Sequence, residues 1–134
     1  MFGFCLDRFR ALILSVFLIV GFALPAYAVG AERSWCSRVE ARDLTLTTLR
    51  FFWNAPQGPD LTGTTGYKGF FYHFLDMNGG HRFRHTELSS VDSSILLLGA
   101  LFAGQFYDRA DASEREIRDL ADKLLARLSA EDRA

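Results

Sequence analysis

The sequence predicts a mainly α-helical domain with one polar insertion, either a short β-hairpin or an irregular excursion between two helices. Two observations support this prediction. Apolar residues recur at helical spacing in three segments, residues 32–54, 91–107 and 113–128. Between the first two segments, residues 55–90 are rich in glycine, proline and hydroxyl side chains, which favour turns.

The N-terminus has the pattern of a secretory signal peptide. Arg8 and Arg10 precede an uncharged apolar run at residues 11–24, and Pro25 is expected to break it. The run is 14 residues long, whereas a membrane-spanning helix needs about 20. The pattern therefore favours an export signal, and a retained N-terminal anchor is the alternative.

A cleavage site follows at residues 26–28, where the sequence Ala-Tyr-Ala places small residues on both sides of a tyrosine. We therefore predict that residues 1–28 are removed and that residues 29–134 form the mature chain. This chain would be secreted or periplasmic.

The predicted mature chain is nearly balanced in charge. Removal of Asp7, Arg8 and Arg10 leaves 13 basic and 15 acidic residues, a formal charge of −2. A dedicated nucleic-acid-binding domain would carry a basic patch, so no nucleic-acid partner is expected. Cys36 is the one cysteine that would remain, so no intrachain disulfide can form and packing must stabilise the fold.

The first predicted helix covers residues 32–54, and Pro56 prevents its continuation. Residues 55–66 form a loop. Apolar and polar side chains then alternate imperfectly through residues 67–76, as in a strand. A strong Asn-Gly turn signal at 78–79 precedes residues 82–86. A short hairpin is the simplest interpretation of this insertion, and an irregular excursion remains the alternative.

Residues 91–107 form the strongest predicted element. They are apolar or small on nearly every face, which is typical of a helix in the interior of a larger body. Gly99 would let a neighbouring helix approach closely. The last helix is predicted to begin with a capping box of Ser113 and Glu116. Its single apolar stripe beside charged residues indicates an outer helix.

Two carboxylates at the junction of the insertion and the second helix are candidates for chemistry. Glycoside hydrolysis needs one protonated and one ionised carboxyl group. Glu87 lies in the loop and Asp92 in the first helical turn, so both could face one pocket mouth. Asp92 also fits a structural role, as the N3 residue of a capping box with Ser89 as N-cap.

Three histidines, His73, His81 and His85, lie in the insertion with Asp76 among them. Metal binding is the less favoured interpretation, because no HExxH or paired-cysteine motif accompanies them. The sequence also has no phosphate-binding glycine motif and no GxSxG nucleophile elbow. The aromatic residues of the insertion could stack on sugar faces, although phenylalanines are more often buried.

One ordered pattern runs through residues 69–108. It begins with Gly-Phe-Phe-Tyr-His-Phe-Leu-Asp at 69–76, continues with Arg82 after a short turn, and reaches Glu-Leu-Ser-Ser-Val-Asp at 87–92. An alanine- and leucine-rich stretch then ends with Gln-Phe-Tyr-Asp at 105–108. In this order the sequence resembles the glycoamylase-like domain family. The family includes secreted endo-β-1,2-glucanases and a C-terminal region of cyclic β-glucan synthases.

The resemblance covers about residues 49–124 and implies a fold. Members of the family are similar to six-hairpin α/α barrels. The chain would then be a partial, truncated α/α-barrel-like helical assembly, with residues 91–107 as an inner-barrel helix. Residues 29–134 would be the N-terminal portion of a glycoamylase-like domain and would supply about the first quarter to third of a barrel.

The resemblance also implies a function. Family members hydrolyse or bind β-glucans without a cofactor, so no cofactor and no metal ligand are expected here. Glu87 and Asp92 become the catalytic candidates. The substrate-binding candidates are Tyr72, His73, Asp76 and Arg82.

The expected function is that of a secreted, glycoside hydrolase-like, glucan-active protein. The chain would be an incomplete fragment that contributes one wall of a cleft for β-glucan or a related oligosaccharide. One alternative is a small envelope protein that binds glycans or acts as a scaffold without catalysis. Another is an enzyme completed by a second chain that carries the rest of the barrel.

Overall fold

The computed structural model describes the backbone of residues 16–131 and the side chains of residues 22–128. This part of the chain is mainly helical, as the sequence predicted, and its insertion includes a small three-stranded antiparallel sheet. Its elements are, in order, α1 (Val16–Glu32), α2 (Arg38–Asn54), β1 (Gly66–Tyr67), β2 (Phe70–Tyr72), β3 (Leu88–Ser89), α3 (Ser90–Phe106) and α4 (Ala112–Glu131).

Helix α1 coincides with much of the segment predicted as an export signal. It continues through Pro25, where a break was expected, and it packs on α2 and α3. Leu24 and Ala28 are fully buried, and this burial outweighs the one helical hydrogen bond that a proline removes. Residues 1–15 of the predicted signal lie outside the described residues. Removal of residues 1–28 stays a prediction.

In the uncut chain the predicted cleavage bond, which follows Ala28, lies inside a packed helix. None of the described helices is both long and apolar enough to cross a membrane.

Helix α2 begins at Arg38, later than the predicted start at residue 32. Ser37 caps it, since the Ser37 hydroxyl accepts a hydrogen bond from the Glu40 amide (3.1 Å). The Glu40 carboxylate in turn accepts one from the Ser37 amide (2.9 Å), which completes a capping box. Ser34 has a left-handed φ of 58°, and the chain reverses there between α1 and α2. The predicted helix at residues 32–54 included this position.

The insertion forms a sheet in the order β1-β2-β3. Lys68 and Gly69 both have positive φ (52° and 79°), as a two-residue type I′ hairpin turn requires. The sheet is held on the helices by Phe71, which is buried and meets the Phe52 ring of α2 edge-on at 5.0 Å.

The predicted hairpin is partly correct. The turn near residues 78–79 is present, but residues 82–86 do not form its second strand, since Arg82 alone pairs with Leu75 in an isolated bridge. After β2, the next strand to pair with it is β3, with Phe71 opposite Ser89. The chain therefore makes an irregular excursion before it returns to the sheet.

The apolar core contains residues of all four helices and of β2, and α1 and α4 each pack on both α2 and α3. Its members include Leu46, Leu49, Phe52, Leu96, Ala100, Tyr107, Ile117 and Leu124. Helix α3 is buried where it faces this core, and the apolar residues of its remaining face are exposed. These are Val91, Leu98, Leu101 and Phe102, which we call the open face of α3.

The predicted cap of α4 is wrong. Asp111 caps the helix, because its Oδ1 atom accepts from the Ser113 and Glu114 amides (3.0 Å each). Glu116 does not complete a capping box with Ser113. It pairs instead with Arg50 of α2 at 2.6–2.7 Å. An aspartate one residue before the first helical position reaches the free amides better than a serine already inside the first turn.

Substitution of Gly99 by Leu should destabilise the fold. Gly99 is buried on α3, and α1 packs on this helix. Forcing a large side chain into a filled site costs about 1–3 kcal/mol or more, whereas replacing a helical glycine returns only about 1 kcal/mol. Thermal denaturation followed by circular dichroism should show a lower Tm. Gln105→Leu adds the same side chain at an exposed position of α3 and serves as the control, and equal Tm values for the two variants would contradict the close packing.

Candidate functional site

The two carboxylate candidates lie on either side of one imidazole ring. His73 Nδ1 is 3.0 Å from Glu87 Oε1, and His73 Nε2 is 3.5 Å from Asp92 Oδ2. His73 directly follows β2, Glu87 directly precedes β3, and Asp92 lies in the first turn of α3. The structure therefore brings together three of the predicted site residues, which we call the His73 cluster.

The fold fixes the His73 ring from several directions. The His73 amide donates to the Glu87 carbonyl oxygen (2.9 Å), one step beyond the pairing of Tyr72 with Leu88. The imidazole stacks on the Phe74 ring, with centroids 4.2 Å apart and planes 16° from parallel. Backbone pairing and stacking together hold the ring between the two carboxylates.

Asp92 takes part in the helix cap through its backbone, and its catalytic role stays a prediction. Its amide donates to the Ser89 hydroxyl (3.2 Å), so Ser89 is the N-cap of α3. The reciprocal half of a capping box is not formed among the described residues, and the Asp92 carboxylate faces His73 Nε2 instead. The backbone of Asp92 thus belongs to the cap and its side chain to the His73 cluster.

Ser93 connects the start of α3 to the sheet. Its hydroxyl accepts from the Phe71 amide (2.9 Å) and donates to the Ser89 carbonyl oxygen (2.6 Å). This link sets the distance between β2, which leads to His73, and the helix that carries Asp92. Sequence reasoning missed both Ser93 and the stacking role of Phe74, and the only signal for Ser93 was its spacing of four residues from the N-cap.

The two carboxylates differ in their surroundings. The Glu87 side chain is 72% exposed, whereas that of Asp92 is 9% exposed. The hydrogen bond from His73 lowers the pKa of Glu87 below its ordinary value, with smaller contributions from a backbone amide and from the charge of the imidazolium. An exposed ionised carboxylate therefore stands beside a buried carboxyl group. Glycosidases use carboxyl groups in two such different environments.

Tyr72 and Arg82 form a packed unit next to the His73 cluster. Tyr72 is 3% exposed, and its hydroxyl donates to the Gly58 carbonyl oxygen (2.9 Å). The Arg82 guanidinium lies 4.1 Å from the centre of the Tyr72 ring, and its Nε donates to the Thr86 carbonyl oxygen (2.7 Å). One face of the Tyr72 ring is thus covered. The predicted substrate-binding roles of both residues stay predictions.

Asp76 holds a turn. Its Oδ1 atom accepts from the Asn78 and Gly79 amides (2.8 Å each), the pattern of an aspartate that stabilises its own following turn. Its role toward a substrate also stays a prediction. The described residues contain no group of three or more histidine, cysteine, aspartate or glutamate side chains that could hold a metal ion.

An open depression of about 340 Å³ lies at the C-terminal end of α2. Thr47, Arg50, Phe51, Asn54 and Pro56 are among its lining residues. None of the six predicted site residues lines it, so it is separate from the His73 cluster.

No protein-family model and no curated protein matches this sequence. Among solved structures, the chain is similar to a crystal structure from Bacteroides uniformis that is described, provisionally, as a glucoamylase. The TM-score is 0.69 at 22% sequence identity, and the match covers 87% of this chain and 26% of the other. The chain thus spans about a quarter of the length of that structure.

At this level of identity the likeness shows the fold. It confirms a glycoamylase-like fold for the described part of the chain. The narrower relation to endo-β-1,2-glucanases and cyclic β-glucan synthases stays a prediction.

Proposed function

We propose that this chain, with its glycoamylase-like fold, forms one wall of a β-glucan-binding cleft in a glycoside hydrolase-like protein. The observation that carries the proposal is the His73 cluster, in which Glu87 and Asp92 flank one imidazole. Hydrolysis of a glycosidic bond requires two carboxyl groups, one ionised and one able to donate a proton. The lowered pKa of Glu87 suits the ionised role, as base or nucleophile.

We further propose that other helices complete the cleft. The open face of α3 carries Val91, Leu98, Leu101 and Phe102, whose exposed fractions range from 39% to 65%. Contiguous exposed apolar side chains mark surfaces that bind a partner. A second chain with the remaining helices of a barrel fits this surface, because inner-barrel helices are apolar on both sides.

The proposal is tested by titrating β-1,2-gluco-oligosaccharides into the purified chain and following NMR chemical shifts. We expect binding, with Glu87→Gln and Asp92→Asn each weakening it by roughly tenfold, since each removes a charged hydrogen-bonding partner. Glu116→Gln, at an exposed ion pair away from the cluster, is the control and should bind normally. Absence of binding to β-1,2-, β-1,3- and β-1,4-linked oligosaccharides would contradict the proposal.

A second candidate function is a small envelope protein that binds glycans or acts as a scaffold without catalysis. It is favoured by the apolar core. Residues of all four described helices and of the sheet pack in one core within this single chain. The same titration separates the two functions when a chain carrying the complementary helices is added. Hydrolysis of the oligosaccharide after that chain is added supports the enzyme. Unchanged binding with no hydrolysis supports the second candidate.

We also propose that the chain is exported, on the basis of the charged and apolar N-terminal pattern. Expression of the full chain in a bacterial host, followed by fractionation and N-terminal sequencing, tests this. We expect protein outside the cytoplasm that begins at Val29. Recovery of the chain in the cytoplasm with an intact N-terminus would contradict the export proposal.

A further inference from the structure

We infer that the glycan bound beside the His73 cluster carries an anionic group, a carboxylate or a phosphate ester, and that Arg82 binds this group. The inference rests on the proposed function, since it names the chemical class of the ligand for the same cleft. The sequence placed Arg82 among the substrate-binding candidates for a β-glucan, which is a neutral polymer. The structure gives the Arg82 guanidinium the features of an anion-binding group.

The guanidinium of Arg82 is held in place by several contacts. It lies over the Tyr72 ring (4.1 Å), and its Nε atom donates to the Thr86 carbonyl oxygen (2.7 Å). Tyr72 is itself fixed, because it is buried and its hydroxyl donates to the Gly58 carbonyl oxygen. The Arg82 amide also donates to the Thr64 carbonyl oxygen (2.5 Å). A side chain that is ordered in advance loses little conformational entropy when a ligand binds.

The two terminal nitrogens of Arg82 have no protein partner. Of the five N–H groups of a guanidinium, the four on these nitrogens form no hydrogen bond or ion pair with any described residue. Gln57 Nε2 is the one buried side-chain nitrogen or oxygen without a partner in the described part of the chain, so the terminal nitrogens of Arg82 reach solvent. Their planar fork matches the two oxygens of a carboxylate or phosphate. The unpaired fork is therefore accessible to a ligand.

Another arginine of the same chain shows what such a fork binds. Arg38 also lies over aromatic rings, those of Phe106 and Tyr107, at 4.8 and 5.4 Å. Its fork holds the Glu114 carboxylate through two hydrogen bonds of 2.7 and 2.9 Å. Arg82 has similar ring support but no carboxylate. Hydrogen bonds between two charged groups are stronger than those to a neutral hydroxyl, so an anionic ligand completes the Arg82 fork better than a neutral sugar does.

The charge around Arg82 also favours an anion. Residues 81–86 contain two arginines, two histidines and no acidic residue. Arg84, like Arg82, forms no ion pair within the described part of the chain. Glu87 follows this segment, but its carboxylate contacts His73 Nδ1 (3.0 Å) and not a guanidinium. The segment thus has an excess of positive charge that no described carboxylate neutralises.

Arg82 lies next to the His73 cluster through two connections along the chain. The ring that supports it, Tyr72, directly precedes His73, and the residue that accepts its Nε proton, Thr86, directly precedes Glu87. An anionic group bound by Arg82 therefore belongs to a sugar unit beside the one at the carboxylates. The class of ligand is an acidic β-linked glycan, with either uronic acid units or phosphate esters.

The test is an NMR titration of the full chain with two tetrasaccharides of the same β-1,4 linkage, tetraglucuronate and cellotetraose. We expect tetraglucuronate to bind about tenfold more tightly, because a hydrogen bond between charged groups contributes more than one to a neutral group. The side-chain N–H signals of Arg82 should shift with tetraglucuronate. Equal affinities for the two would overturn the inference and leave the proposed function intact. Binding of tetraglucuronate at Arg82, without binding of any neutral β-glucan oligosaccharide, would refute the β-glucan cleft and leave the anion site intact.

Two small ligands distinguish the sources of the anionic group. Methyl β-glucuronide carries a carboxylate and glucose 6-phosphate carries a phosphate ester, and the one that shifts the Arg82 signals at lower concentration identifies the group. Inorganic phosphate is the control. If it binds as tightly as glucose 6-phosphate, the site takes free anions and the glycan assignment is overturned.

Two substitutions separate the fork of Arg82 from its charge. Arg82→Lys keeps the positive charge but loses the planar fork, so most of the preference for tetraglucuronate should disappear. Arg84→Gln removes one positive charge two residues away and should change the preference by less than about twofold, since an exposed charge is largely screened. Arg82 also supports Tyr72, so the Tm of each variant is measured, and the comparison of ligands on the wild-type chain does not depend on either variant. Equal losses in the two variants would mean that charge alone attracts the ligand, which would overturn the role of the fork.

Discussion

A chain that begins at Val29 should lose much of the stability of the uncut chain. Removal of residues 1–28 deletes the fully buried Leu24 and the N-terminal part of α1, and it opens the surfaces of α2 and α3 beneath them. The loss of one buried leucine side chain costs about 2–5 kcal/mol, against a total stability of about 5–15 kcal/mol for a small domain. We expect Tm to fall by roughly 10 °C or more, since 1 kcal/mol shifts Tm by about 4–8 °C at this size.

The measurement is thermal denaturation of residues 29–134 and of the full chain, together with binding of a dye that reports exposed apolar surface. Two substitutions in the full chain provide matched controls. Leu24→Ala should reproduce part of the loss, whereas Phe22→Ala, at a 61% exposed position of the same helix, should not. Equal stability of the long and short chains would show that α1 contributes nothing to the fold.

Packing of α1 would hinder cleavage at the predicted export site. The bond after Ala28 lies in a helix, and Ala28 itself is fully buried. If the chain is exported and cut there, cleavage must precede the packing of α1. The cut chain would then expose apolar surface on α2 and α3 as well as the open face of α3, which fits a chain that completes its core with further helices.

The helices were largely predictable because their periodicity is strong. The predicted helix at 91–107 differs by one residue at each end from α3 (Ser90–Phe106). Helix α2 begins six residues later than predicted, because the Ser37–Glu40 capping box fixes its start. Similarly, Asp111 was overlooked as the cap of α4 in favour of Ser113. Caps depend on a single side chain, and periodicity does not detect them.

The strands were less predictable for a physical reason. They are two or three residues long, too short for an alternating pattern to develop, and their pairing depends on where Ser93 and Phe71 attach the sheet to the helices. The carboxylates Glu87 and Asp92 were predicted as a pair from the chemistry of glycosidases and from the family resemblance. The imidazole between them was not, because His73 is 14 residues from Glu87 and meets it only through the pairing of β2 with β3.

Replacement of Glu114 by Ala should destabilise the fold by about 3–5 kcal/mol, the cost of breaking a buried ion pair on one side. Glu114 is 1% exposed, and its carboxylate accepts two hydrogen bonds from Arg38, at 2.7 and 2.9 Å. It also accepts one from the Arg109 amide at 2.8 Å. These contacts join the start of α2 to the start of α4. Without Glu114, the partly buried Arg38 guanidinium keeps weaker partners, which are the Phe106 carbonyl oxygen, Asp108 and the rings of Phe106 and Tyr107.

Urea denaturation at pH 7 should show this loss, and Glu116→Ala is the matched control. Glu116 makes the same two-point contact with Arg50, but both side chains are exposed, so its removal should have little effect. The pH dependence is a second check. The hydrogen bonds from Arg38 lower the pKa of Glu114 in the folded chain, so the stability it contributes is complete above its unfolded pKa, about 4.3, and is lost as pH falls through the lower folded value. The wild-type chain should therefore lose more stability between pH 5 and pH 3 than the Glu114→Ala variant does. Equal effects of the two substitutions would mean that burial does not strengthen the Arg38–Glu114 pair.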